Sequence, residues 1–406
     1  MIVDIHSSFA GTYYDRTRPL SDVSHSPSMD VAVIGGGVIG LAVAWRLAQR
    51  GATVALLERG ELGSGTSAVA AGMLAPVSEA EFGADGQRAL TLGLAGAERW
   101  PAFAGELSAA AELPVNLRAS GTLMLARDSD EADALAREQR FRDALGLRTR
   151  RLRASEARAL EPALAPTLRL ALEIPDDHSV DPREVVVALG RAAARAGVRV
   201  REHSVVGRVL LDGSGAQVRG VELDGGERLR CATVVVAAGA WTEAVGGLPD
   251  AARLPVRPVK GQTLRLRDPG GPGLLHRVVR YAGGYLVPRE DGRYVLGATM
   301  EERGYDVSPT AGGVYELLRE AHELVPGISE MVIEELAVGL RPSTPDNVPA
   351  IGPGALAGLV WAVGHHRSGI LLAPLTADLV AAAVHGEAPG ELARVCAPAR
   401  LQRVPA

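Results

Sequence analysis

Three glycines, Gly35, Gly37 and Gly40, stand in the spacing Gly-x-Gly-x-x-Gly, and Glu58 follows about twenty residues on. The first glycine of such a set permits a tight turn, the second lets backbone approach a pyrophosphate, and the third lets helix and strand pack closely. The helix that follows then presents free N–H groups and partial positive charge to the phosphates. A carboxylate at Glu58 suits a ribose 2′-hydroxyl and disfavours a 2′-phosphate, which argues against NADP. The spacing alone does not separate NAD from FAD. The segment GSGTSAVAAGM (63–73) comes next; in isolation it reads as a surface loop. Beside the glycine set, its small residues would let backbone lie against a cofactor, with the Thr66 and Ser67 hydroxyls able to bond phosphate.

A second kind of chemistry is carboxylate recognition. A guanidinium grips a carboxylate through two parallel hydrogen bonds, and Arg341 in GLRPST and Arg367 in GHHRSG are candidates, with Tyr285 in GGYLVPR as a hydroxyl donor. Residue type says little here: of 43 basic residues only Lys260 is lysine, a bias that reads as coding preference. Most of these arginines are expected to be solvated, and a tyrosine in a strand usually packs. Lys260 is either a point-charge site that arginine cannot fill or a survivor of that bias.

The elements that must position these residues are legible. DVAVIG, a helix-period stretch from Val38 to Arg50 closed by Gly51, and ATVALLE make a βαβ unit. Asp181-Pro182-Arg183-Glu184 opens a helix with Asp at the N-cap and Pro at N1; Gly197 closes it, and VRVREHSVV reads as the next strand. TVVVAAGAW is a buried strand running into a glycine turn. VKGQTLRLR, GGYLVPRE and GRYVLGATM predict an antiparallel sheet. LVWAVGHHRSGI reads as strand and turn, before a helix from about Ala373 to His385. The stretch 131–160 reads as solvated helices. Residues 1–28 lack periodicity and are expected to form a disordered tail.

Bulk properties narrow the class. A chain of 406 residues suggests two domains or one with an insertion, and a net charge of -5 argues against a nucleic-acid surface. Two cysteines, Cys231 and Cys396, do not make a disulfide scaffold or a zinc site, though one disulfide stays open. The apolar run from Val31 to Trp45 is too short and glycine-rich for a membrane span, and no signal-peptide core is present, so cytoplasm is the expected location.

In order, VAVIGGGVIGLAVAWRLAQRG, ERGELGSGTSAVAAGM, PVKGQ, GGYLVPR, GATM, GLRPSTPDNVPAIG and GHHRSGILLAP resemble the D-amino-acid oxidase superfamily from about Asp30 to His385. Within it, the similarity is greatest to the glycine oxidases of thiamine biosynthesis. That resemblance implies an α/β fold: a Rossmann-like FAD-binding domain (29–112, 176–245 and 335–390), an inserted antiparallel-sheet substrate domain (113–175 and 246–334), and a C-terminal tail (391–406). It implies non-covalent FAD contacted by Gly35, Gly37, Val38, Ile39, Gly40, Glu58, Arg59, Thr66, Ser67, Ala71, Gly72, Met73 and Val206. The run His365, His366, Arg367, Ser368, Gly369, Ile370 and Leu371 would wrap the flavin. Arg341, Tyr285 and Arg367 would bind substrate. A histidine found in glycine oxidases two residues before that tyrosine is replaced by Gly283, which predicts a more open wall and puts strict glycine preference in doubt.

The implied reaction is oxidative deamination of glycine or another small amino acid. Hydride would pass from Cα to flavin N5 with no side-chain base, and oxygen would be reduced to hydrogen peroxide. The imine would hydrolyse to glyoxylate or pass to thiazole synthase. Homo-oligomerisation is a further family-level expectation. The alternatives are an oxidase or dehydrogenase for sarcosine, D-proline or a D-amino acid, a non-catalytic flavin-binding protein, or an NAD-only dehydrogenase, which the GHHRSG motif disfavours.

Overall fold

A computed structural model describes residues 29–402; the expected N-terminal tail lies outside them. The first strand, Met29–Ile34, is flanked by Val54–Leu57 and by Arg228–Val236, both parallel to it. The sheet continues outward through Arg199–Arg201 on one side and Leu359–Val363 on the other, again parallel. Successive strands thus build to one side of the first strand and then to the other. The strand order reverses between Met29–Ile34 and Arg228–Val236, and in open α/β sheets ligands bind outside the carboxyl ends of the strands at such a point. Ala350–Pro353 adds one antiparallel edge, and a hairpin of Val206–Leu211 and Val218–Leu223 hangs on Arg228–Val236. The helices Val38–Gln49, Gly83–Ala111, Pro182–Arg195 and Gly369–Val384 bury one face around Trp45 and Trp100.

The second sheet has eight strands in the order Val332–Ser343, Arg257–Arg267, Arg293–Gly297, Gly284–Pro288, Val278–Tyr281, Thr122–Ala126, Leu170–Ile174 and Arg150–Arg153. It is antiparallel except where Val278–Tyr281 runs parallel to Thr122–Ala126, and the three segments expected to form an antiparallel sheet do pair that way. Val332–Ser343 pairs along its whole length with Arg257–Arg267, so it crosses the boundary expected at 335 and carries Arg341 into the second sheet.

Other expectations shift locally. VRVREHSVV is not one strand: His203 takes φ 52, and Val206 opens a separate strand. The last helix starts at Gly369, not Ala373, with Pro374 inside it; ten of its residues are buried, and that packing outweighs one lost hydrogen bond. The stretch 131–160 is not wholly solvated or wholly helical. A strand, Arg150–Arg153, intervenes, and Arg142 is 1% exposed. In the C-terminal tail, Glu391–Val395 and Pro398–Leu401 are short helices, tied by Arg400 to Asp346 at 2.9 Å. Cys231 and Cys396 are both free and buried, each thiol pushed up to about 11 by burial. No described helix is long and apolar enough to cross a membrane.

Lys260 is fully buried in Arg257–Arg267. Its Nζ donates to the Ser308 carbonyl at 2.6 Å and to Asp306 at 3.0 Å, with Glu301 at 3.7 Å. A compact ammonium fits three oxygens converging on one point; a planar fork does not. We expect Lys260→Arg to overpack this site and lower the unfolding free energy by about 1–3 kcal/mol. A denaturant melt with an unchanged midpoint would return the lone lysine to an accident of composition.

Candidate functional site

The turn from Met29–Ile34 into the first helix is set by close backbone contact. Gly35 takes φ 107, and a Cβ on it would lie 2.4 Å from the Ala237 carbonyl oxygen. A Cβ on Gly40 would lie 1.8 Å from the Gly35 carbonyl oxygen, so the helix packs only with glycine there. Gly37, by contrast, has room: its Cβ would meet only the Ser67 hydroxyl, at 3.2 Å. The helix start carries no acidic residue in its first turn and no side-chain cap on Gly37. Glu58 accepts from Gly36 N–H at 2.6 Å and Gly60 N–H at 2.9 Å, which fixes the carboxylate beside the turn. Ser67 Oγ accepts from Val38 N–H at 3.0 Å, and Thr66 Oγ1 donates to the Leu340 carbonyl at 2.7 Å.

These residues line a cavity of about 430 Å³ at the switch point. The structure brings together there Gly35, Gly37, Val38, Ile39, Glu58, Arg59, Thr66, Ser67, Val206, His365, His366, Arg367, Gly369 and Ile370. Gly40, Ala71, Gly72, Met73, Ser368 and Leu371 are not among the residues that line it. Gly40 packs beneath Gly35. The Ala71 and Gly72 carbonyls accept from Arg289 at 2.7 Å and Val180 N–H at 2.9 Å, and Met73 pairs with Ser179. Ser368 stands at the N-cap position of the last helix without a side-chain capping bond, and the Leu371 carbonyl accepts from Trp100 Nε1 at 3.0 Å. Trp241 was not anticipated: its ring lies under the Arg59 guanidinium at 3.7 Å on the cavity wall. The switch-point topology, not any motif, is the signal that finds it. An open glycine turn, a helix start with no acidic residue in its first turn and a carboxylate at the second strand's end suit a dinucleotide such as FAD.

A second cavity, about 540 Å³, opens along the second sheet. Arg341, Tyr285 and Arg367 all line it, and Arg367 lines both cavities, so the two meet there. Arg341 Nη1 donates to the carbonyls of Thr299 at 3.1 Å and Lys260 at 3.3 Å. Its guanidinium lies over Gly261, where a Cβ would sit 2.5 Å from its nitrogens. It has no carboxylate partner among the described residues, and burial pulls its pKa down. Burial raises that of Tyr285. Arg367 pairs with Glu81 at 3.1 Å and lies 4.0 Å from Glu79; Glu79 foremost raises its pKa.

Glu79 and Arg280, neither expected, also line the second cavity and pair at 3.1 Å. The turn before Glu79 is pinned from both sides. Buried Arg142 donates to the Val77 and Ser78 carbonyls at 2.9 and 3.0 Å, while buried Asp177 accepts from the same residues' N–H groups, each at 3.1 Å. Gly283 lines the cavity too, but a side chain there would point at Glu320, whose Cγ would be 3.2 Å from its Cβ. The expected opening is therefore backed by Glu320, held by Arg127 and Arg319. Both histidines of GHHRSG are neutral, held at about 3, by burial alone for His365 and by burial and then Arg367 for His366.

Comparison with known proteins agrees with the fold. The glycine oxidase of Geobacillus kaustophilus is 38% identical over 354 residues, covering 87% of this chain and 92% of the relative. A crystal structure of glycine oxidase from that organism matches with a TM-score of 0.85 and 36% identity, covering 94% of this chain and all of the other. The bifunctional protein ThiO/ThiG of Synechocystis is 36% identical over 86% of this chain, which spans 51% of that relative. Residues 30–383 match the family described as FAD dependent oxidoreductase. The chain belongs to that family of FAD dependent oxidoreductases.

Proposed function

We propose that this enzyme oxidises the carbon–nitrogen bond of glycine or another small amino acid to an imine, which hydrolyses to the 2-oxo acid, with oxygen reduced to hydrogen peroxide. Arg341 carries the reading: a guanidinium without a carboxylate partner among the described residues, in a cavity that meets the dinucleotide crevice at Arg367. When bound, FAD supplies the electron-pair acceptor that side chains lack. Arg341 takes the substrate carboxylate through parallel N–H bonds, and the Tyr285 hydroxyl donates to the same group. With the carboxylate fixed, the Cα–N bond is held toward the junction at Arg367. No side chain is nominated as base: His366 is neutral but bonded to Ser343, and Glu79 is engaged by Arg280. The amine therefore reacts in its neutral form after losing a proton to solvent.

In this reading the parallel sheet carries FAD and the second sheet carries substrate. The ThiO/ThiG relative, of which this chain spans 51%, supports passing the imine to a partner, read here as thiazole synthase. Assembly into a homo-oligomer belongs to the same family-level reading.

The test is the visible spectrum of the purified protein under anaerobic conditions: glycine is expected to bleach its flavin bands. Persistent bands would leave the cofactor assignment standing and remove glycine as substrate. Arg341→Ala should lose about 2–5 kcal/mol of substrate binding by analogy with unpaired charges, and an unchanged KM would remove Arg341 from the clamp. The pH profile gives a second check. Because His365 and His366 are held at about 3, both are neutral across the ordinary working pH range. kcat/KM should then rise with pH along the substrate amine's own titration, and the limb should move when an amine of different basicity replaces glycine. A limb that stays fixed belongs to a protein group.

A further inference from the structure

The substrate cavity holds a guanidinium that one amino-acid carboxylate does not use. Arg280, Arg341 and Arg367 line it beside Glu79, Glu301 and Glu316, and Arg341 is taken by the proposed substrate carboxylate. The other two share Glu79, at 3.1 Å from Arg280 and 4.0 Å from Arg367. Glu81, the remaining partner of Arg367, is 65% exposed and screened by solvent. Arg280 Nη1 is buried and makes no hydrogen bond, although it lies beside Glu79. Its strand position matters as well. Arg280 stands directly opposite Tyr285 across the paired strands, so the two side chains leave the same face about 5 Å apart. A group bound by Tyr285 thus lies within reach of a second group bound by Arg280. The cavity has room for both: at about 540 Å³ it is of a size that holds ligands far larger than glycine.

We propose that Arg280 is a specificity-determining residue that receives a second carboxylate, carried on the nitrogen or on the Cα of the amine substrate. Glu79 aligns the Arg280 fork without saturating it, and the preferred substrates are dicarboxylic amines. This rests on the amine-oxidation reading.

The test uses FAD-loaded protein and ligands that lack an oxidisable amine. Diglycolate is compared with methoxyacetate for an arm on nitrogen, and succinate with propionate for an arm on carbon, by isothermal titration. At least one dicarboxylate should bind about tenfold or more tighter than its monoacid counterpart. That preference should disappear in Arg280→Met and persist in part in Arg280→Lys, which also covers a Met variant that fails to fold. Turnover should follow the same arm: iminodiacetate over sarcosine, or D-aspartate over D-alanine, in kcat/KM. The proposal is overturned if neither dicarboxylate is preferred by the wild type, or if the preference survives Arg280→Met. Dicarboxylate binding with no amine oxidised would instead overturn the amine-oxidation reading, and the inference with it.

Discussion

A half-buried guanidinium with no carboxylate beside it among the described residues is costly, and the half of this molecule built on the second sheet is organised around one. Removing a charge from water costs several kcal/mol even after the surroundings relax, and Arg341 recovers only part of that from the Thr299 and Lys260 carbonyls. Two features keep it in place. Gly261, opposite Gly339 in the ladder, has no side chain to displace the guanidinium. Lys260, the next residue, ties down the segment after Thr299 through Asp306 and Ser308, fixing one of the two carbonyls from behind. In the proposed reading, the deficit left over is what an incoming carboxylate removes.

The same strand brings this charge to the cofactor crevice. Val332–Ser343 runs from the edge of the second sheet until Pro342 lines the dinucleotide cavity. Along the way its Leu340 carbonyl accepts from Thr66, and Ser343 bonds His366. Arg183 and Arg265 both donate to the Ala68 carbonyl, clamping the short helix Thr66–Val69 to the second sheet. Cofactor-side and substrate-side residues are therefore held on one hydrogen-bonded seam, which keeps the distance between reacting atoms from depending on a mobile loop.

What was legible in the sequence follows from how local each constraint is. Gly35, Gly37, Gly40 and Glu58 answer to one turn and two short elements, so their spacing reveals them. Asp181 and Pro182 open their helix as read because capping is settled within a few residues; Asp181 accepts from Arg183 N–H at 2.9 Å. Lys260 was visible as an anomaly, but its three oxygen partners lie on a segment that no local pattern connects to it. Arg341, Tyr285 and Arg367 stood out through their motifs; among so many arginines, charge type carried no signal. Glu79 and Arg280 were invisible, because what unites them is a cavity between a pinned turn and a distant strand. The seam between Val278–Tyr281 and Thr122–Ala126 was hidden for the same reason, since parallel pairing between remote segments leaves no turn signature.

The absence of a nominated base becomes intelligible in terms of charge. Arg280, Arg341 and Arg367 line the cavity together with Glu79, Glu301 and Glu316, and of the three guanidiniums only Arg341 has no carboxylate partner among the described residues. Nearby like charge disfavours the protonated form of any amine placed among them. The same field, added to burial, keeps His366 neutral, with Arg367, Arg341 and Arg257 each pulling its pKa down. In the proposed reading a substrate carboxylate neutralises Arg341, and the amine lies toward Arg367, where the two cavities join and where Glu79 and Glu81 already partner the guanidinium. A side-chain base placed at the junction would have to be anionic or easily protonated. The first would attract the ammonium form, and the second would add positive charge where three guanidiniums already stand.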